Sequence, residues 1–218
     1  EAFTTPVPFT HDGREELLVV GGDALSGHDP ETGKELWRWG TWNPDRIGHW
    51  RLVPSPVSGG GVILACAPKK NPIYAIKAGG VGDLSDKEDA VAWTSVDPKV
   101  VSSDVPTPAF ADGDFFILNK DRKMLVRVEP KTGEIVWQER IPGNADYEAS
   151  PMVADGKIYI VNFSSRVLVY DAETGKKLSD IQMDKPRDDS VRSAIVAAQG
   201  QLFIRTTNKL FCIAKSGE

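Results

Sequence analysis

Five times along the chain, a short apolar run, a glycine-bearing turn and a second, alternating apolar run follow one another. The segments "TPVPFTHDGREELLVVGGD", "SPVSGGGVILACA", "TPAFADGDFFILNKD", "SPMVADGKIYIVNFSS" and "SAIVAAQGQLFIRTTN" each open on Ser or Thr, usually followed by Pro. The openings fall at Thr5, Ser55, Thr107, Ser150 and Ser193, and the last two intervals are 43 residues each. Insertions such as "KAGGVGDLSDKED" lengthen the earlier intervals. No segment carries an apolar period of 3.6 residues, so the pattern predicts strands and almost no helix.

A second element recurs after these paired runs: "HDPETGKELW", "VEPKTGEIVW" and "YDAETGKKLS". Thr32-Gly33, Thr132-Gly133 and Thr174-Gly175 mark a tight turn between two further strands, with glycine free to take positive φ. Each repeat therefore reads as four short strands. A period in the low forties built from four strands is the size of a propeller blade. The expected fold is all-β, a β-propeller of four-stranded antiparallel blades with about five blades in this chain. A single propeller domain or partial propeller then spans residues 1–218, with blades over roughly 1–45, 46–98, 99–143, 144–185 and 186–218. Solenoids use helices or shorter coils, and a sandwich would not repeat its turn chemistry in this way.

Composition narrows the function classes. With 40% apolar and 26% charged residues and a formal charge of −5, the chain gives no electrostatic reason to expect nucleic acid or anionic lipid. No run approaches the ~18 apolar residues of a membrane-spanning helix. Cys66 and Cys212 form no CxxC pair and are expected to be unpaired thiols in distant blades. His11, His28 and His49 lie in separate turns without metal-ligand spacing. The insertion "GGVGDLSDKED" lacks the GK[ST] ending of a phosphate loop and the spacing of an EF-hand, so it reads as a solvated loop. No GxSxG elbow occurs. The expectation is no catalytic set, no metal and no cofactor.

At its Thr-Gly turns the chain resembles the pyrroloquinoline-quinone-type propeller repeat family, whose tryptophan-docking motif reads A-x-D-x-x-T-G-x-x-x-W. Gly27, Asp29, Thr32, Gly33 and Trp37 occupy it once, with glycine in the alanine place. Arg127, Glu129, Thr132, Gly133 and Trp137 occupy it again, with two departures, and Asp171, Thr174 and Gly175 match a third time with Ser179 in the tryptophan place. Trp93 ends the second repeat without a Thr-Gly turn before it. The chain is similar to bacterial quinoprotein-like proteins and to those akin to the propeller lipoprotein of the outer-membrane β-barrel assembly machine. That resemblance alone implies a periplasmic or extracellular setting. Relatives usually carry about eight blades, which implies that this chain is the C-terminal part of an eight-bladed ring with the remaining blades among its partners. A start at Glu1 with neither methionine nor signal peptide suggests a processed or excised piece. A quinone-dependent dehydrogenase would need a tryptophan floor, a calcium set and, often, adjacent cysteines. No such set can be assigned, so a dehydrogenase is the alternative reading and a sensor module of a larger protein another.

Position in the repeat sorts the tryptophans. Trp37, Trp93 and Trp137 end outer strands, where the family packs them against the next blade, and Trp39 extends that contact. Trp42 and Trp50 lie instead in the connection "GTWNPDRIGHWRLVP" between two blades, which should open onto one end of the propeller. That end is expected to bind a protein, a peptide or a small ligand through His49, Trp50, Arg51, Asp104, Tyr147, Glu148, Arg187 and Arg192. The basic turns "KKN", "KDRK", "SSR" and "TNK" should join them.

Overall fold

The computed structural model describes residues 1–40, 42–43, 47–184 and 191–214. In the first sheet β1 (Val7–His11), β2 (Arg14–Gly21), β3 (Ala24–His28) and β4 (Glu35–Gly40) run as an antiparallel meander. The second holds β5 (Val57–Gly59), β6 (Val62–Cys66), β7 (Ile73–Lys77) and, after a two-residue strand β8 (Gly82–Asp83) and a 3₁₀ turn at Glu88–Ala90, β9 (Val91–Thr94). The third comprises β10 (Ala109–Ala111), β11 (Asp114–Asn119), β12 (Met124–Val128) and β13 (Ile135–Arg140). The fourth comprises β14 (Met152–Ala154), β15 (Lys157–Val161), β16 (Arg166–Asp171) and β17 (Lys177–Gln182). The fifth has β18 (Val196–Ala198), β19 (Gln201–Arg205) and β20 (Leu210–Ile213) among the described residues. These sheets are the blades of a β-propeller, and their inner strands β5, β10, β14 and β18 touch in succession.

Each blade opens with the same two-residue hairpin. In the first, third and fourth it is Asp-Gly, and both central residues hold positive φ, as at Asp12 (47°) and Gly13 (78°), the geometry of a type I′ turn. That turn fixes the register at His11↔Arg14, Ala111↔Asp114 and Ala154↔Lys157. The second strand of each of the three middle blades is then largely buried on both faces, with alternate residues facing different neighbours. Ile63 and Ala65 pack toward the first blade and Val62 and Leu64 toward the third. Phe115 and Ile117 face the second blade, Phe116 and Leu118 the fourth. The core is thus four interblade layers, and a strand serving two of them is apolar on both faces along its central residues.

The Ser/Thr that opens each repeat has a structural reason. Thr5 N–H donates to Ser55 Oγ (2.9 Å), Ser55 N–H to Thr107 Oγ1 (3.1 Å), and Thr107 N–H to Ser150 Oγ (3.0 Å). Each hydroxyl accepts from the equivalent residue one blade earlier, so the blade starts are stitched together around the propeller axis. A carbon side chain at any of these positions would leave the preceding N–H without this acceptor.

Two expectations need correction here. The insertion is not a free solvated loop: β8 pairs in parallel with the outer edge of β4, Trp37 opposite Gly82 and Arg38 opposite Asp83, and Leu84 is buried in the layer between blades one and two. It covers a strand edge whose backbone groups would otherwise face water. Trp42 and Trp50 do not open onto the propeller end either. Both are buried, together with Trp37 and Trp39, in that same first layer. Trp39 meets Trp42 edge-on at a centroid distance of 5.5 Å and Tyr74 at 5.0 Å. The facing residues Ala65, Ala67 and Ala90 are small, so the large rings fill the volume those alanines leave.

Candidate functional site

Antiparallel order puts the interblade connections and the β2–β3, β6–β7, β11–β12, β15–β16 and β19–β20 turns at one end of the molecule. Each connection delivers one charged residue just before the next blade opens: Arg51 before Ser55, Asp104 before Thr107, Glu148 before Ser150 and Arg192 before Ser193. The pinned blade starts fix where these residues emerge.

His49, Arg51, Asp104 and Glu148 line one cleft of about 500 Å³, together with Lys69 and Lys120 from two of the turns and Val53, Pro68 and Val105 as apolar wall. Asp104 Oδ1 accepts from the backbone N–H of Lys69 at 2.7 Å, while Lys69 Nζ donates to the carbonyl of Gly48 at 2.8 Å. Lys120 Nζ stands 3.5 Å from Glu148 Oε1 and 4.0 Å from Asp104 Oδ2. Arg192 closes the row, its Nε donating to Glu148 Oε2 at 2.8 Å and its guanidinium lying 4.7 Å above the Phe163 ring. Both carboxylates are therefore already engaged by cations, and Lys120 is tied between two blades' connections with 17% of its side chain exposed. The cleft wall carries more cationic than anionic groups. Among the described residues that line it no serine or cysteine stands with His49, and what they present is hydrogen-bond donors and apolar area.

Of the eight residues expected here, the structure gathers His49, Arg51, Asp104 and Glu148, with Arg192 at the edge. Trp50 and Tyr147 are not presented. Trp50 is 6% exposed within the first interblade layer, and its indole N–H has no hydrogen-bond partner among the described residues. Tyr147 is fully buried between blades three and four, its hydroxyl donating to the carbonyl of Pro142 at 3.2 Å. Apolar burial outweighs loop position for both rings, and burial also pushes the Tyr147 hydroxyl up to about 12. Arg187 lies outside the described residues, as do Arg46, Asp188 and Asp189. Lys69 and Lys120 join the site from the basic "KKN" and "KDRK" turns, whose charge is the sequence signal for them.

The docking motif builds the frame behind the cleft. In each Thr-Gly turn one carboxylate takes the turn's donors: Asp29 Oδ1 accepts from Thr32 N–H (2.7 Å) and Thr32 Oγ1 (2.8 Å), and Asp171 does the same for Thr174. These hydrogen bonds, led by the backbone N–H of Thr32 at Asp29 and by the Thr174 hydroxyl at Asp171, hold both carboxyls below their ordinary range. Glu129 plays the part with one more methylene. Trp93 donates to the carbonyl of Pro130 in the next blade's turn, and Trp137 to that of Ala172. Trp37 departs from this scheme. The second blade has the insertion in place of a Thr-Gly turn, and Trp37 donates instead to the buried carboxylate of Glu16 within its own blade. Arg14 pairs with Glu16 and also donates to the carbonyl of Gly80 at 2.9 Å, tying the insertion into the same network.

A family model described as outer membrane protein assembly factor BamB matches residues 2–217. The chain is 27% identical over 150 residues to the dehydrogenase subunit of a quinone alcohol dehydrogenase from Acetobacter aceti, a match covering 62% of this chain and 19% of that protein. Among solved structures it is similar to BamB from Moraxella catarrhalis, with a TM-score of 0.62 at 14% identity, over 92% of this chain and 54% of that one. It is also similar to the quinohemoprotein alcohol dehydrogenase from Comamonas testosteroni, with a TM-score of 0.68 at 14% identity, over 99% of this chain and 41% of that one. The chain thus spans about a fifth of the curated relative and about half of these solved chains. At such identities the structural likeness is one of fold.

Quinone chemistry, which the dehydrogenase names state, would ask this chain for a metal donor set and an aromatic floor. Among the described residues no three His, Cys, Asp or Glu side chains are grouped to hold a metal ion. Asp104 and Glu148 are engaged by cations, Trp37, Trp39, Trp42, Trp50 and Trp93 are buried between blades, and Trp137 docks on the fourth blade's turn. The described residues do not fit that group.

Proposed function

This chain belongs to the family of the outer membrane protein assembly factor BamB, and we propose that it is a binding scaffold without chemistry of its own, holding a protein, a peptide or a small ligand at the mouth cleft in an extracytoplasmic setting. The observation that carries this reading is the convergence of three connections and two turns, from separate blades, on one cleft whose carboxylates are already paired. A rigid frame presenting adaptable polar groups on loops is a common arrangement for recognition. The remaining blades of a larger ring, and a protein partner in an assembly, belong to the same proposal.

A second reading, a quinone-dependent dehydrogenase, is favoured by the sequence match to the alcohol dehydrogenase subunit. Reconstitution with pyrroloquinoline quinone and calcium, followed by dye-linked oxidation of alcohols and sugars, separates the two. The scaffold reading expects no turnover above the protein-free control. Turnover that depends on both additives would overturn it.

A further inference from the structure

The β6–β7 and β11–β12 turns stand side by side at the loop-bearing end, and each distributes neighbouring cations to opposite sides. Lys69 and Lys120 line the mouth cleft, whereas Lys70 and Arg122 line a second, separate cleft of about 280 Å³ with Lys99, Asp97, Pro98 and Asn119. Lys69 and Lys70 both hold positive φ, 58° and 64°, a sharp local turn from which the two side chains reach different clefts. Lys70, Lys99 and Arg122 are exposed, and none has an ion-pair partner among the described residues, in contrast to Lys120. Three unpaired cations thus meet one carboxylate, on a chain whose formal charge is −5.

The backbone around this cleft is fixed and already satisfied. Asp97 Oδ1 accepts from Lys99 N–H at 2.9 Å, Asn119 Oδ1 accepts from Arg122 N–H at 3.1 Å, and Asn119 Nδ2 donates to the carbonyls of Lys99 and Val100 at 3.2 and 3.3 Å. Small inorganic anions are usually cradled by converging backbone N–H groups, and here the N–H groups of Lys99 and Arg122 are taken. What remains available is three long, exposed cations on three separate segments. Half-buried Pro98 forms part of the cleft wall, and Val96, two residues before it in the chain, is fully exposed. Spaced cations interleaved with apolar area complement a chain that carries carboxylates and apolar side chains together.

We propose that this second cleft binds an acidic polypeptide segment, its carboxylates taken by Lys70, Lys99 and Arg122 and an apolar side chain resting on Val96 and Pro98. The site lies apart from the mouth cleft and stands whether or not that cleft has a ligand.

The test is fluorescence anisotropy with a labelled peptide of alternating glutamate and leucine, beside a glutamine-for-glutamate copy, inorganic phosphate as competitor, and phosphatidylglycerol vesicles. The glutamate peptide should bind, more weakly as salt rises, and the glutamine copy should not. Single Lys70→Glu, Lys99→Glu and Arg122→Glu variants should each weaken binding by roughly threefold to tenfold, and the triple variant should abolish it. Lys77→Glu, exposed at the end of β7 away from both clefts, should leave it unchanged. Melting curves of each variant check the fold, and Lys99→Ala serves if the triple variant does not fold. Undiminished binding by the folded triple variant, or by Lys99→Ala in its place, overturns the proposal, as does equal affinity for the glutamine copy. So do loss of binding in Lys77→Glu, displacement by equimolar phosphate, and binding to vesicles but not to peptide.

Discussion

Trp93 donates its indole N–H to the carbonyl of Pro130 at 2.7 Å and lies over Gly133, where an added Cβ would stand 2.6 Å from the ring. Trp137 repeats the relationship one blade on, with Ala172 and Gly175. The glycine of the Thr-Gly turn therefore has two tasks: it takes positive φ, and it leaves room for the preceding blade's tryptophan. At Gly33 only the first applies, because nothing lies within 4 Å of its missing Cβ.

That difference separates two substitutions at the same turn position. Gly33→Ala should cost about 1 kcal/mol through the left-handed backbone alone. Gly175→Ala should cost about 2 to 4 kcal/mol, because Trp137 must also move off its seat. Urea unfolding of both variants checks this. Equal losses would mean that the tryptophan does not dock on the turn.

Tryptophan truncations should rank by burial rather than by position in a loop. Trp37→Ala and Trp50→Ala should each cost about 3 to 5 kcal/mol, as for other buried aromatics. Trp137 is only half-buried on an outer strand, and its truncation should cost less, about 2 to 3 kcal/mol. A Trp50→Ala protein as stable as the parent would return that residue to the surface.

Acid sensitivity should trace to a cross-strand pair in the fourth blade. Arg166 Nε and Nη2 donate to the two oxygens of Asp180 at 2.7 and 2.8 Å, and that hydrogen bonding, joined by Lys177, lowers the Asp180 carboxyl from its ordinary 3.8 to about 2. A carboxyl depressed in the folded state stabilises above its unfolded value and loses that contribution as pH falls through the folded one. The stability difference between the parent and Asp180→Asn should hold at neutral pH and close between about pH 4 and pH 2. A difference independent of pH over that window would contradict the pairing.

The two thiols should react very differently. Burial pushes the Cys66 thiol up to about 12, whereas Cys212 is exposed on β20. At pH 8 a thiol reagent should label Cys212 alone in the folded protein and both after unfolding, as the thiolate is the reactive form. Mass spectrometry of the tryptic peptides reads this directly, and rapid labelling of Cys66 would show that the second blade opens.

Much of this architecture is legible in the residues. The Ser/Thr-Pro openings, the Asp-Gly hairpins and the Thr-Gly turns each impose a local geometry, and the apolar second strands follow from blades that touch two neighbours. The site was legible only in part. Arg51, Asp104, Glu148 and Arg192 are charged and must stay near water, so their place in a connection locates them. Trp50 and Tyr147 lie in the same connections, yet their apolar rings find space between blades, and no local pattern reveals that Ala65, Ala67 and Ala90 leave such space. The insertion misled for a similar reason: its polar sequence hides a backbone pairing with β4 that depends on a strand edge more than forty residues earlier.

The central claim, that recognition occurs at the loop-bearing end, is tested most directly by a photo-crosslinking residue placed in turn at Arg51, Asp104 and Arg192 on that end and at Glu31, Asp112 and Glu173 on the opposite end, with adducts read after expression in the source cells. The account predicts defined adducts at the first three positions and none at the last three. Adducts confined to Glu31, Asp112 and Glu173 would contradict it.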